Sequence, residues 1–218
     1  MTSDGLLGEG SFRSKMHEMM RASILEAARK RAAKVDWSAI RISDIADDVG
    51  VSRQTVYNEF GAKDDLARAL FEAEIGTFVA GIVDITGRAP NITTALSDTL
   101  NWLFDAAGNH PIIQRMLSDA RAGEGGSLLP ILTVRPEVVL LPARQMLLKA
   151  FTDRWPARDI DRTEQMIDFV VRLSLSEILM PSDRPRVDVI EGIVTMSKAV
   201  LKPVNRGAAA ARVVDSAS

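Results

Sequence analysis

Arg53, Gln54, Tyr57 and Asn58 are at most five positions apart, and all four carry hydrogen-bonding groups. An asparagine amide can meet the N6 and N7 edge of adenine in a major groove. A tyrosine hydroxyl can bond a phosphate oxygen while its ring lies beside the sugar. Such contacts need side chains held on one face of a rigid element. Val56 and Phe60, four residues apart, supply the opposite, inward face of a helix. Ser52 stands where it can cap that helix by accepting from an orphan backbone N–H. Before it, Ile45, Ala46 and Val49 share one face of a helix that starts near Ile42, and Gly50 gives the left-handed stop. Ala46 is small where the two helices must cross. The stretch Ile42–Phe60 is therefore expected to be a helix-turn-helix, a polar edge above an apolar base, as entry into a DNA major groove requires.

That edge needs a platform. From Lys15 to Val35, Met20, Ile24, Ala27, Ala28 and Ala32 recur at three- and four-residue steps and predict a helix. Asp36-Trp37-Ser38 breaks it, and Trp37 is expected to cover the end of a three-helix base. Gly61 stops the second helix of the motif. Lys63 opens the next helix, where free N–H groups favour a phosphate; a lysine there opposes the helix dipole, so it is either a phosphate ligand or an incidental surface residue. This helix, about Lys63 to Ile85, carries Leu66, Leu70, Phe71, Ile75, Phe78, Val79 and Ile82 and would be a lever out of the base. Residues 1–14 are expected to form a disordered arm, either a free terminus or a basic arm bringing Arg13 to a minor groove.

Residues 91–202 read as helical throughout: about Ile92 to Ala107, Pro111 to Ala120, Val138 to Arg154, Ile160 to Met180, and a last helix through Ile190 to Leu201. Gly123-Glu124-Gly125-Gly126 is a loop without the Lys-Ser/Thr that a phosphate cradle needs. The last two helices are apolar on more than one side. Ile167, Val170, Val171 and Ile178, with Ile190, Ile193, Val194 and Leu201, are expected to face a second copy in a four-helix bundle, the alternative being a buried monomer core. An apolar set, Phe78, Trp102, Phe104, Met116, Leu132, Met146, Phe151 and Phe169, is either plain core or the lining of a pocket for a lipophilic effector such as an acyl chain, alkane or hydrophobic drug. Arg172, Arg115, His110 and Asp105 are either anchors for a polar head or simply solvated. Residues 203–218 read as a disordered tail.

The composition narrows the classes. The chain has 218 residues, 46% of them apolar, and no cysteine, which removes disulfides, thiol catalysis and cysteine-ligated metal. No apolar run approaches the roughly 18 residues of a membrane span, and no apolar signal core opens the chain, so a cytoplasmic protein without a membrane partner is expected. Net charge is −2, yet residues 13–70 hold 11 Lys or Arg against 9 Asp or Glu, a mildly basic front and an acidic rear. His17 and His110 are isolated, no nucleophile stands beside a base, and neither metal nor cofactor is expected. An α-helical enzyme is therefore the weaker alternative. The expected architecture is all-α: an arm (1–14), a helix-turn-helix domain (15–62), a larger helical effector-binding and dimerisation domain (63–202) and a tail (203–218).

The segments ILEAARKRAA, ISDIADDVGVS, TVYNEF and GAKDDL, over Arg21 to Leu70, resemble the TetR family of bacterial transcriptional regulators. Ile45, Ala46, Gly50, Val51, Ser52, Thr55, Tyr57, Phe60 and Lys63 stand at the places of that family's pattern. The resemblance implies phosphate contacts from Tyr57 and Lys63 and a DNA-touching position for Thr55. With Arg41, Ser52, Arg53, Gln54 and Asn58 these make the expected DNA-facing set. Two positions depart from the pattern: Arg41 replaces a capping Ser or Thr but can contact phosphate itself, and Asn58 replaces a frequent histidine. The family further implies a homodimer through its C-terminal helices and a ligand cavity among the middle helices. The function so indicated is a dimeric, ligand-responsive repressor of a near-palindromic double-stranded operator; an activator or an effector-independent DNA-binding protein is the alternative.

Overall fold

The structure, a computed structural model, describes residues 4–121, 140–156 and 159–202. Among the described residues the chain is helical, with no strand. The helices are α1 (Asp4–Ala32), α2 (Ile42–Val49), α3 (Arg53–Phe60), α4 (Lys63–Arg88), α5 (Ile92–Gly108), α6 (Pro111–Arg121), α7 (Leu140–Arg154), α8 (Ile160–Leu179) and α9 (Arg186–Leu201), with one 3-10 turn at Trp37–Ala39. The sequence-based expectation places the first helix from Lys15, but α1 begins at Asp4, so the arm expected over residues 1–14 is corrected to helix from Asp4 onward. The tail 203–218 and the glycine loop lie outside the described residues.

The chain divides into two compact units, and all three boundaries between them fall inside helices. The first holds residues 1–81 and 103–143, the second 82–102 and 144–218. The first 19 residues of α4, and all of α6, fall in the same unit as the helix-turn-helix, beyond the expected boundary at residues 62 and 63.

In the first unit, Ile24, Ala28 and Ala32 of α1 meet Ile45 and Ala46 of α2, Val56 and Phe60 of α3, and Leu66 and Leu70 of α4 in one buried core. Ile112 and Met116 of α6 join it. Trp37, 3% exposed, closes the core from the 3-10 turn, as its place in the sequence suggests. Alanines at 27, 28 and 32 let α1 approach its neighbours closely, and burial of the larger aliphatics stabilises the cluster by about 1.5–3 kcal/mol each.

A polar brace crosses this core. Glu74 of α4, 8% exposed, accepts from Arg29 Nε of α1 at 2.6 Å and pairs with His110 Nε2, at the entry to α6, at 2.9 Å. Desolvation by burial works to raise the Glu74 pKa, but the hydrogen bonds from His110 and Arg29, with the charge of Arg29, outweigh it and hold the carboxyl below its ordinary value. A carboxyl depressed in the folded state contributes stability that is complete above its unfolded pKa and is lost as pH falls through the lowered one. Glu74→Gln is therefore expected to cost about 2 kcal/mol near neutrality. Urea unfolding of wild type and variant should converge as the pH is lowered through the acid range; a gap that stays constant would remove the charge from the brace.

In the second unit, Thr163, Met166 and Ile167 of α8 and Ile190, Ile193 and Val194 of α9 are buried between two packed helices. Arg162 near the start of α8 donates to the carbonyls of Val200 and Lys202, at 2.9 and 2.6 Å. That contact fixes the pair as antiparallel and satisfies carbonyls left open at the α9 C-terminus. Arg144 of α7 bridges to Glu164 and Asp168 of α8.

Candidate nucleic-acid interface

The turn of the helix-turn-helix is built from backbone bonds. Gly50, at φ 76° and ψ 32°, donates to Asp47 O at 3.2 Å, and Val51 N–H reaches back to Ala46 O at 3.0 Å. This pair of bonds ends α2 and requires a left-handed residue, the conformation glycine adopts at least cost. Ser52 Oγ then accepts from Thr55 N–H at 3.0 Å and lies 2.9 Å from Thr55 Oγ1, so the expected cap is formed. Arg41 precedes α2 without any side-chain cap bond, leaving its guanidinium exposed.

At the other end of α3, Gly61 has φ 83°. Asp65 Oδ2 accepts from Ala62 N–H at 3.0 Å, and a Cβ on Gly61 would stand 2.8 Å from that same oxygen. Position 61 thus favours glycine by its positive φ, and a Cβ there would also push the Asp65 carboxylate off its cap. The carboxylate closing the first turn of α4 also meets the positive end of the helix.

Between these ends α3 buries Val56 at 1% and Phe60 at 8% exposure and turns Arg53, Gln54, Tyr57 and Asn58 outward. Tyr57 is 47% exposed. Thr55 is half-buried at the edge of that face and Ser52 is exposed beside it. Gln54 Nε2 donates to Asn58 Oδ1 at 2.9 Å. If both amides were turned over, the pair would still retain one bond between them and leave one acceptor and one donor side free. Adenine, with a donor at N6 and an acceptor at N7, is the base whose edge uses both. Asn58→Ala is accordingly expected to relax the preference at one A·T pair. Gln54→Ala should relax an overlapping position, and the double variant should lose less than the sum of the two. Selection of bound sequences from a random pool checks this; a uniform loss of affinity across sequences would count against base reading.

Three contacts hold this face in place, and sequence periodicity alone does not disclose them. Arg21 of α1 donates to Glu59 O at 2.8 Å and lies 4.1 Å from the centroid of the Phe60 ring, bonding a carbonyl in the last turn of α3. His17 Nε2 is 2.7 Å from a Glu59 carboxylate oxygen. Arg31 of α1 pairs with Asp48 of α2 through two bonds of 2.6 and 2.8 Å. That hydrogen-bonded pairing holds the Asp48 carboxyl below its ordinary pKa.

Lys63 is at the opening of α4, but its Nζ is engaged: it donates to Ser38 O at 3.0 Å and lies 5.8 Å from the Trp37 ring centroid. Burial lowers its pKa, opposed by the charges of Asp36 and Asp64. The phosphate that the sequence invokes to explain a lysine here is thus not its only partner; the Ser38 carbonyl, within the 3-10 turn, is another.

Residues 24–70 match the family described as bacterial regulatory proteins, tetR family, and residues 91–199 match the bacterial tetracyclin repressor C-terminal domain. The chain belongs to the TetR family. It is a TetR-family transcriptional regulator, with the family's DNA-binding helix-turn-helix at α2 and α3. The HTH-type transcriptional regulator AlkX of Mycobacterium tuberculosis (strain ATCC 25618 / H37Rv) is 30% identical over 166 residues, covering 76% of this chain and 77% of that one. The TetR family repressor AlkX from Dietzia sp. strain DQ12-45-1b, implicated in biodegradation of n-alkanes, has a crystal structure similar at a TM-score of 0.68. The two are 25% identical over 83% of this chain and 94% of that one. FadR of Bacillus subtilis, solved in complex with stearoyl-CoA, shares the fold at a TM-score of 0.52 and 18% identity, covering 83% and 99% of the two chains.

The TetR C-terminal half departs from two sequence-based expectations. Ile167, Ile190, Ile193 and Val194, assigned to a dimer interface, are buried inside this chain's own second unit, at 9% exposure or less. Val170, Val171, Ile178 and Leu201 are half-buried. The outward apolar residues are instead Ile160, Phe169 and Leu173 of α8, Met180 just beyond it, and Val187 and Met196 of α9. An amphipathic period identifies the two sides of a helix, not which of them its own chain covers.

The expected pocket lining is also divided. Phe78, Phe104 and Met116 belong to the first unit, where Phe78 stacks at a tilt on His110 and Met116 is part of the base core. Trp102, Met146, Phe151, Phe169 and Arg172 belong to the second, with Phe151 buried against Trp155 and both Met146 and Phe169 exposed. Arg172 pairs with Asp168 at 2.9 Å, Arg115 with Asp119 at 2.9 Å, and His110 with Glu74. Leu132 lies outside the described residues. No helix among the described residues is long and apolar enough to cross a membrane.

Proposed function

We propose that this TetR-family regulator acts as a homodimeric repressor that leaves a near-palindromic operator when a small lipophilic molecule binds its C-terminal half. The observation that carries the DNA-facing part is the braced exposed face of α3. Arg53, Gln54, Tyr57 and Asn58 project from a helix fixed at one end by Ser52 and at the other by Arg21. Arg41, Thr55 and Lys63 flank that face, and Tyr57 and Lys63 serve as phosphate contacts. Two such heads would enter successive major grooves about 34 Å apart, or a multiple of that.

The exposed Phe169, Leu173, Val187 and Met196 support a partner copy on α8 and α9, because several large apolar side chains exposed on one helix pair are commonly covered by a partner. The likeness to a repressor implicated in n-alkane biodegradation supports both the sign of regulation and an alkane-like or acyl effector. The effector would act by favouring a dimer whose heads are wrongly spaced, which requires that it bind the two states with different affinity. The protein would work in the cytoplasm, where its operator lies. A reporter gene placed behind the operator tests the sign: removal of the protein should raise expression, and a fall would make it an activator.

A further inference from the structure

Residues 12–19 of α1 are exposed without exception, and full burial along the described side chains of that helix begins at Ile24. Three of the exposed residues are large and apolar: Phe12, Met16 and Met19, at 66%, 50% and 64% exposure. Spaced by four and then three positions, they form one stripe. Lys15 stands three residues after Phe12 and four before Met19, and Arg13 three before Met16, so a cation borders the stripe on each side. Neither cation takes part in a hydrogen bond or ion pair among the described residues. Glu18, the anion of this stretch, lies further round the helix, where Ser14 bonds it. The stripe therefore adds nothing to the core, and a helix face meant only for water ordinarily carries polar groups instead.

Attachment and charge point to what covers it. His17 lies against the Glu59 carboxylate and Arg21 donates to the Glu59 carbonyl, so α1 is tied to the last turn of α3. Its free part leaves from the end of the helix that presents Tyr57 and Asn58. From Arg21 back to Arg13 the helix axis covers about 12 Å, or about three to four base pairs of a duplex. An apolar ridge between two cations matches a groove, where phosphates line both walls and sugars and base edges lie between them. Proteins that enter the minor groove use apolar wedges there, phenylalanine and methionine among them. A second copy of the chain fits less well. In a symmetric contact the same surface meets itself, which would bring the unpaired cations of both copies together.

We propose that the free half of α1 is a second DNA-binding surface, with Phe12, Met16 and Met19 in the minor groove next to the half-site and Arg13 and Lys15 on its phosphate walls. It acts as a helix held against α3, and so at a fixed distance from the bases that α3 reads. The proposal rests on the family's helix-turn-helix and is independent of the effector and of the sign of regulation.

The test is a hydroxyl-radical footprint and a salt titration of the full chain on the operator recovered by selection, held in a long duplex. Wild type should protect the minor groove about three to four base pairs beyond the half-site contacts of α3. Arg13→Gln/Lys15→Gln should bind about tenfold more weakly, with the salt slope reduced by about two for each reading head. Phe12→Gln/Met16→Gln/Met19→Gln should lose the extra protection and leave the salt slope nearly unchanged. All five side chains are exposed and glutamine is a good helix former, so circular dichroism and thermal stability should match wild type. Arg13→Lys/Lys15→Arg should keep the wild-type slope. Tyr57→Phe should weaken binding yet retain the extra protection, which separates this surface from the α3 face. A wild-type footprint that stops at the half-site, or variants with unchanged affinity and slope, would overturn the assignment. So would an apolar variant that keeps its footprint and changes only the assembly state in sedimentation, since the stripe would then be a contact between copies.

Discussion

Phe169→Asp combined with Met196→Asp is expected to separate the dimer and lower operator affinity by at least about 100-fold. Both side chains are largely exposed in the single chain, at 44% and 49%, so the substitutions leave its own core intact. In a dimer they would place four carboxylates in an apolar contact, each uncompensated and desolvated. A single head keeps its half-site contacts but loses the second set, and with it most of the binding energy. Sedimentation and operator titration read the two effects separately. A variant that remains dimeric would move the interface off α8 and α9. Ile193→Asp makes the contrast: at 4% exposure it strikes the packing of α9 on α8, and unfolding is expected rather than a folded monomer.

Lys63→Met is expected to weaken binding to specific and non-specific DNA alike, by about tenfold at moderate salt, and to reduce the salt slope by about one. The structure makes this more demanding than a simple charge removal, because Lys63 Nζ also donates to Ser38 O beside the Trp37 ring. Methionine keeps most of the apolar stem against Trp37 and removes the ammonium. If the lysine serves only the turn, stability falls by about 1 kcal/mol and the salt slope does not change. If it also meets a phosphate, the slope falls too. Tyr57→Phe has no such second role to disturb, and should lower affinity across all sequences without altering the salt slope.

The helix-turn-helix was legible because its determinants are local. Gly50 must be left-handed, Ser52 must cap, and Val56 with Phe60 define an inward face whatever the rest of the chain does. The braces were not legible, since Arg21 to Glu59 O and Arg29 to Glu74 join residues far apart in sequence and involve side chains that periodicity treats as solvated. The unit boundaries escaped for another reason. They cut α4 and α5 in mid-helix and α7 after its first turn, where the apolar pattern runs on without a break. On α8 and α9 the sequence showed more apolar surface than one stripe needs. Antiparallel packing then used Ile167, Ile190 and Ile193 internally and left Phe169 and Met196 outside. Which side faces a partner depends on that packing, and single-sequence periodicity does not contain it.

The central claim is that two copies of the α3 face read one operator together, and selection of bound fragments from the source genome tests it most directly. The account predicts a recurring site of two inverted half-sites, centred about one helical turn apart or a multiple of it, with an A·T pair common to both halves. Recovery of single, unpaired half-sites, or of fragments sharing no sequence, would contradict it.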